Sequence, residues 1–374
     1  MKTIKFLIVI PTHNRNEILN DTIASIQKQS YKNWEMVISD NASTVPIKST
    51  ILVEYQKDSR INIIRREENP KITGSEHIEL LLEASLKYQY DYIVVLADDD
   101  LLVPYALETV AECCKGHPFI GSSFISYYEK DKQLKYEKAD YSKIQEVDSG
   151  DVLDKNLKSV GISSLLDSVQ REENLIGSTH ISTYFINKDL LNKTLSLYKK
   201  ILVSPFGDVG YSKLAMEAKT ILYINMPLAV IRYNNNYGMS GVKHRFLLSK
   251  HHDLTFNFSP VKAITFANSA LESYLTLIND LQIGYRKNIS ILFYFKHIRQ
   301  ILRDSPFTKI TFKDLIEALK MLSIQHLLEI MMLVFSFSTY RKILCKFKKD
   351  KIITVNQVES IWDAINYCVC ILKK

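Results

Sequence analysis

Tyr92-Ile93-Val94-Val95-Leu96-Ala97-Asp98-Asp99-Asp100 sets a short apolar run directly against three consecutive carboxylates. A run of this length, rich in β-branched residues, reads as a strand buried on both faces. Upstream, Phe6–Ile10 is a strand followed by Pro11-Thr12-His13-Asn14-Arg15, and Trp34–Ser39 is a strand followed by Asp40-Asn41-Ala42-Ser43. Ile61–Arg65 supplies a further strand. Helical periods separate them: Asn16–Gln29 with Ile18, Leu19, Ile23 and Ile26, then Val45–Gln56, then Glu76–Tyr88 with Ile78, Leu81, Leu82 and Leu86. This alternation predicts an α/β fold with a mostly parallel sheet and helices on both faces. Ligands of such sheets sit beyond the carboxyl ends of the strands. The three polar segments should therefore converge on one edge.

Three carboxylates in a row repel one another, so a positive group should offset them. A divalent cation carrying a diphosphate suits them, because hard oxygen ligands favour Mg²⁺ or Mn²⁺. The competing reading is a solvated acidic turn ahead of a helix. Asp40 closes its strand and could accept the imide N–H of uracil or the equivalent donor of another base. It could equally form an Asx turn or a helix cap.

Val9-Ile10-Pro11-Thr12-His13-Asn14-Arg15, Ser39-Asp40-Asn41-Ala42-Ser43-Thr44 and Ala97-Asp98-Asp99-Asp100 together resemble, in order and spacing, the successive motifs of family-two glycosyltransferases. The resemblance covers about residues 4–240 and is specific as a set, although each motif alone is weak. It implies a GT-A, Rossmann-like fold and activity like that of bacterial enzymes building O-antigens or capsules. By the same resemblance Pro11, Thr12, Asn14 and Arg15 line the nucleotide pocket, and Asp40 with Asn41 holds the base. Asp98 and Asp99 face the ribose and diphosphate. Asp100, with Asp98, binds Mn²⁺ or Mg²⁺.

The family's general base maps onto Asp208 in Phe206-Gly207-Asp208-Val209-Gly210, with Glu217 as a rival. His180 and Arg232 fall where acceptor-binding residues are expected, and Asn234–Tyr237 where a donor-covering loop is. The chain departs from the pattern twice. Arg232-Tyr233-Asn234 stands where the family often has Arg-x-His, and the Gln-x-x-Arg-Trp signature of processive synthases is missing. One base and no second nucleophile imply inversion with a single sugar added from a nucleoside-diphosphate sugar to a glycan or lipid-linked glycan. Two alternatives are a sugar-phosphate nucleotidyltransferase and a non-catalytic nucleotide- or glycan-binding protein. The first would carry a Gly-rich basic loop after the first strand, and the intact carboxylates argue against the second.

The composition, 46% hydrophobic and 24% charged over 374 residues, is that of a globular protein. Residues 242–374 hold 20 Lys+Arg against 10 Asp+Glu, whereas residues 1–241 hold 28 against 31. The positive excess is thus confined to the last third. We divide the chain into a catalytic domain, 1–241, and a basic helical region, 242–374. The apolar run Leu327–Phe335, flanked by Arg341, Lys342, Lys346, Lys348 and Lys349, is too short and interrupted for a membrane span. It fits a helix lying in an anionic interface, or equally the core of a helical subdomain. No nucleic-acid partner is expected. Five cysteines in no paired spacing predict reduced thiols. Phe6–Ile10 is shorter than the apolar core of a signal peptide. The expected location is the cytoplasm, peripheral to the inner face of the membrane.

Overall fold

The structure, a computed structural model, describes residues 3–51, 53–66, 72, 74–137, 140–153, 180–198, 200–202, 211–233, 266–282 and 352–371. β1 (Phe6–Thr12), β2 (Trp34–Asp40), β3 (Ile61–Arg65) and β4 (Tyr92–Val95) lie parallel in the order β4-β1-β2-β3. They are joined through α1 (Asn16–Gln27), a single turn α2 (Val53–Gln56), and α3 (Gly74–Ser85). Phe6, Ile8 and Ile10 share one buried cluster with Leu19, Ile23 and Ile26 of α1. Side chains alternate along a strand, so the equally buried Leu7 and Val9 face the other way, where α3 packs on β1. Helices therefore cover both faces of this half of the sheet. Each fully buried Leu or Ile contributes roughly 1.5–3 kcal/mol.

The helix expected over Val45–Gln56 is broken into a 3₁₀ turn, Ile47–Ser49, and α2. Pro46 precedes the turn, and the Ile47 N–H is drawn 3.1 Å from Asp40 Oδ2.

The second half of the sheet departs further from expectation. It contains β5 (Leu101–Leu102), α4 (Ala106–Cys113), β6 (Phe119–Tyr128), β7 (Gln133–Glu137), β8 (Ile144–Asp148), β9 (Tyr184–Asn187), α5 (Lys188–Leu197), α6 (Ser212–Ala218) and β10 (Thr220–Tyr233). β6 runs parallel to β10 but antiparallel to β7 and β9, and β9 runs antiparallel to β4. The sheet is mixed, with parallel pairing confined to β4-β1-β2-β3 and β6-β10. The polar stretch Glu129–Asp151, whose composition reads as a connection, contains β7 and β8. Buried Leu134 and Tyr136 alternate with the less buried Gln133 and Lys135, which is the period of a half-covered strand.

Contacts divide the chain into two compact units: 1–149 with 176–234 and 352–374, and 150–175 with 235–351. In the second unit, α7 (Phe266–Asp280) buries Leu275, Leu277 and Ile278. One division between the units falls at residues 234 and 235. The end of the chain, however, belongs with the first unit. There β11 (Ile352–Val355) pairs antiparallel with β7, and α8 (Ile361–Ile371) packs on β6 and β10 through Ile361, Ala364, Ile365 and Cys368. Among the described residues no helix is long and apolar enough to cross a membrane. Leu327–Phe335 lies outside them. The four described cysteines are free.

Candidate active site at the carboxyl edge of the sheet

The loops after β1 and β2 are stitched to each other. His13 Nδ1–H donates to the Asn41 carbonyl at 2.7 Å, which leaves Nε2 to accept from Asn14 Nδ2 at 2.9 Å. Asn14 adopts a left-handed φ of 55°, a conformation Asn tolerates better than most residues. Its N–H donates to Ser43 Oγ, and its Oδ1 accepts from the Thr44 N–H. Pro11 and Thr12 close β1, and the Thr12 carbonyl accepts from the Asn41 N–H. The Asn41 Oδ1 atom is buried without a hydrogen-bond partner.

Asp40 is only 1% exposed. Its carboxylate accepts from the Ser43 N–H at 2.8 Å, the Ile47 N–H at 3.1 Å and the Arg65 guanidinium. Burial alone would raise its pKa. The Ser43, Ile47 and Arg65 hydrogen bonds outweigh burial and hold it below the usual carboxylate value. The Asx-turn reading thus describes Asp40 here, and a base could reach it only by displacing Arg65. Beneath this loop His77 of α3 is hydrogen-bonded to Ser39 Oγ at 2.8 Å. Burial, then the charges of Arg66 and His13, pull its pKa down to about 4.

The acidic triplet is split. Arg15 Nη1 lies 2.9 Å from Asp98 Oδ1 and 2.8 Å from Asp99 Oδ2. Part of the positive charge sought from a metal is therefore supplied by an arginine, which pairs with Asp98, expected beside Asp100 as a metal ligand. Burial pushes the Asp98 carboxyl up to about 6, against the pull of Arg15 and with added repulsion from Asp99. Asp100 turns the other way. It accepts from Ser182 Oγ–H at 2.6 Å and, because β5 pairs with β10, from the Arg232 backbone N–H at 3.1 Å. Burial, then the Asp99 charge, raises its pKa well above the usual value.

Among the described residues Asp100 has no Lys or Arg partner, and His180 Nδ1 is 3.3 Å from its Oδ2. No three His, Cys, Asp or Glu side chains among the described residues form a closed metal site. A buried carboxylate with no direct ion pair to a described Lys or Arg suits a divalent cation whose other ligands come from phosphate and water. The residues present fit the Mg²⁺ or Mn²⁺ that the sequence implies.

Arg232 was expected to touch the acceptor. Its side chain is 4% exposed and binds Asp21 Oδ2 at 2.8 Å, with Glu129 at 3.7 Å. The other Asp21 oxygen accepts from Trp362 Nε1–H at 2.9 Å. Arg232 therefore braces Asp100 from behind. Glu217 is held by Tyr198 at 2.9 Å and Lys193 at 2.9 Å, and the Lys193 contact lowers its pKa. A carboxylate so engaged makes a poor general base. Asp208 and Asn234–Tyr237 lie outside the described residues. Ser182, Asp21, Arg65 and Trp362 were not anticipated. Their contacts with the site cross 82 residues for Ser182–Asp100 and 341 for Trp362–Asp21, and no local pattern encodes these. Only Arg15 carried a usable signal, since both it and the triplet follow strands.

A parallel βαβ half-sheet that ends in an acidic triplet and continues into a mixed half is the arrangement that the GT-A resemblance implies. Residues 7–160 match the family model for glycosyl transferase family 2. Over 94 residues it is 32% identical to the putative teichuronic acid biosynthesis glycosyltransferase TuaG of Bacillus subtilis, covering 25% of this chain and 35% of that protein. Over 108 residues it is 30% identical to the GalNAc(5)-diNAcBac-PP-undecaprenol beta-1,3-glucosyltransferase of Campylobacter jejuni, covering 29% and 34%. The matches thus span about a third of either relative's length. A solved structure of S. aureus TarS with UDP-GlcNAc aligns over 67% of this chain and 68% of that one, at 15% identity and a TM-score of 0.45.

Proposed function

We propose that this protein transfers one sugar, with inversion, from a nucleoside-diphosphate sugar to a hydroxyl of a glycan or lipid-linked glycan in cell-surface polysaccharide synthesis. The observation that carries this reading is the division of the triplet at the carboxyl edge. Arg15 neutralises Asp98 and Asp99, while Asp100 stays buried and without a described basic partner. The loops of Pro11–Arg15 and Asp40–Ser43 form the nucleotide side, with Arg65 over Asp40 and the unpartnered Asn41 Oδ1 available to a ligand donor. The names of the bacterial relatives support the polysaccharide context.

Asp100 would hold a bound Mn²⁺ or Mg²⁺, which supplies charge stabilisation to the departing nucleoside diphosphate. Arg15 is placed to add to that stabilisation once a diphosphate competes for it. Asp208 accepts the proton of the attacking hydroxyl as general base. The engagement of Glu217 with Tyr198 and Lys193 supports this choice between them.

The test is incubation of the full chain with Mn²⁺ and a panel of nucleotide sugars, scored for slow release of free sugar and nucleoside diphosphate. Hydrolysis of one donor, lost on metal chelation, supports the reading. Thermal stabilisation by a nucleotide without any turnover would favour a binding protein instead. We further propose peripheral attachment to an anionic membrane through residues 235–351, on the charge excess there.

A further inference from the structure

We propose that His180 is a second protein ligand of the divalent cation, supplying from the segment before β9 the imidazole that is missing after β10. The inference rests on the metal-assisted reading above and assigns a residue to it.

The geometry begins with Ser182. Its backbone N–H donates to His180 Nδ1 at 3.3 Å, so that nitrogen presents a lone pair and not a proton. The same nitrogen lies 3.3 Å from Asp100 Oδ2. Asp100 Oδ2 in turn takes the Ser182 Oγ–H at 2.6 Å. Two electron-rich atoms are therefore held side by side with no hydrogen bond between them. Such a contact is relieved by a positive species between the two atoms, a proton on the carboxyl in the ligand-free protein or a divalent cation when one is bound. Adjacent ligands of an octahedral cation with bonds of about 2.1 Å lie about 3.0 Å apart, close to the spacing found. The Ser182 N–H contact is long for a hydrogen bond and weak enough to yield to a stronger partner.

The surroundings fix the pair. His180 caps the 3₁₀ turn Ile181–Thr183, with Thr183 Oγ1 bonded to the His180 carbonyl at 2.6 Å. Phe124 packs beside its ring, with centroids 6.0 Å apart. Ser182 Oγ also accepts the Ala97 N–H, which ties the turn to the start of the triplet. A carboxylate oxygen with an imidazole nitrogen selects Mn²⁺ over the all-oxygen preference of Mg²⁺. Acceptor binding, the role read from the sequence, would leave the close approach of His180 Nδ1 to Asp100 Oδ2 without a purpose.

The experiment uses the full chain with Mn²⁺ and either UDP or GDP, read by electron spin echo modulation and by titration of free Mn²⁺. Wild type should show nitrogen modulation from a directly bound imidazole, changed on ¹⁵N-histidine labelling. His180→Ala and His180→Asn should lose the modulation. Their Mn²⁺ affinity should fall by at least the roughly 10-fold that even an outer-shell contact commands. Mn²⁺ bound by wild type without nitrogen modulation, or modulation and affinity unchanged in the variants, overturns the assignment and leaves the metal reading standing. No Mn²⁺ binding by wild type with either nucleotide overturns both. Should the variants fail to fold, the labelled wild type still decides, since absence of an isotope effect refutes imidazole ligation.

Discussion

Replacing Arg15 by Met keeps the aliphatic stem and removes the charge that Asp98 and Asp99 share. The carboxylates are 8% and 13% exposed and their ion pairs are 2.9 and 2.8 Å long. Breaking a buried pair of this kind costs about 3–5 kcal/mol, because the remaining charges are left uncompensated. Protonation limits the cost. With Arg15 present the Asp98 carboxyl sits at about 6, and without it the value is higher still.

The sign follows from this. Relative to the variant, Arg15 depresses the folded-state value, so its contribution is present above about pH 6 and is lost as pH falls through it. Between pH 8 and 6, at 1.36 kcal/mol per unit, Asp98 alone accounts for up to about 2.7 kcal/mol, and the Asp99 pair supplies the rest. His77 acts in the same direction in absolute stability. Its folded value near 4 costs stability as pH falls below its ordinary 6.5, but it does so equally in both proteins. The assay is urea unfolding at pH 8 and pH 5. The only two tryptophans, Trp34 and Trp362, both lie in the first unit, so fluorescence reports that unit. The expected difference is about 3–5 kcal/mol at pH 8, shrinking to about 1 kcal/mol at pH 5. A loss below 1 kcal/mol at pH 8, or one independent of pH, refutes the pairing.

Asp100→Asn should abolish transfer yet raise the melting temperature of the ligand-free protein at pH 8, by about 2–4 °C per kcal/mol of burial cost relieved; calorimetry checks this. Asp208→Asn should lower turnover by roughly 10²–10⁴-fold with donor affinity nearly unchanged, whereas Glu217→Gln should leave turnover within a few-fold; the reverse pattern in steady-state kinetics reassigns the base. Trp362→Phe leaves one Asp21 oxygen without its indole donor and should cost about 1 kcal/mol in the same urea assay. The full chain should sediment with anionic but not neutral vesicles, and salt should release it, since each basic residue near the surface adds about 1 kcal/mol within a Debye length of ~8 Å.

What the sequence disclosed is the part of the fold whose order is local. Strands covered by helices on both sides leave uninterrupted runs such as Phe6–Ile10 and Tyr92–Leu96, and those runs point to their own polar ends. Strands with one covered face leave only an alternation. In Gln133–Glu137 that signal is diluted by Lys135 and Glu137 and reads as a polar connection. The direction of pairing is not local at all: β9 meets β4 antiparallel through contacts of Ile93 with Ile186. The same limit applies in the site. That Asp98 and Asp100 would part, one to Arg15 and the other to Ser182, depends on which neighbours the sheet brings near. Asp40 shows the converse, since its turn-forming role was available from Asn41-Ala42-Ser43 beside the base-binding one.

The end of the chain changes how the basic region should be approached. Residues 235–351 carry 18 Lys+Arg against 8 Asp+Glu, whereas residues 352–374 balance at two of each. The charge excess thus belongs to the second unit, and the residues after it return to the first. There Lys28 lies 3.6 Å over the Trp362 ring, Tyr127 Oη–H donates to the Val358 carbonyl, and Lys132 pairs with Glu359. Through Asp21, Trp362 also reaches Arg232, whose backbone N–H holds Asp100. A chain cut after Val242 would lose the cover over β6 and β10 together with the basic residues, so reduced membrane binding could not be assigned to charge. Replacing 235–351 by a Gly/Ser linker keeps β11 and α8 in the chain and removes the part of the second unit that carries the excess, leaving 150–175. Loss of vesicle binding in that protein, with the Trp362 fluorescence of the folded state retained, locates the attachment in the second unit. Retained binding locates it in the residues that remain.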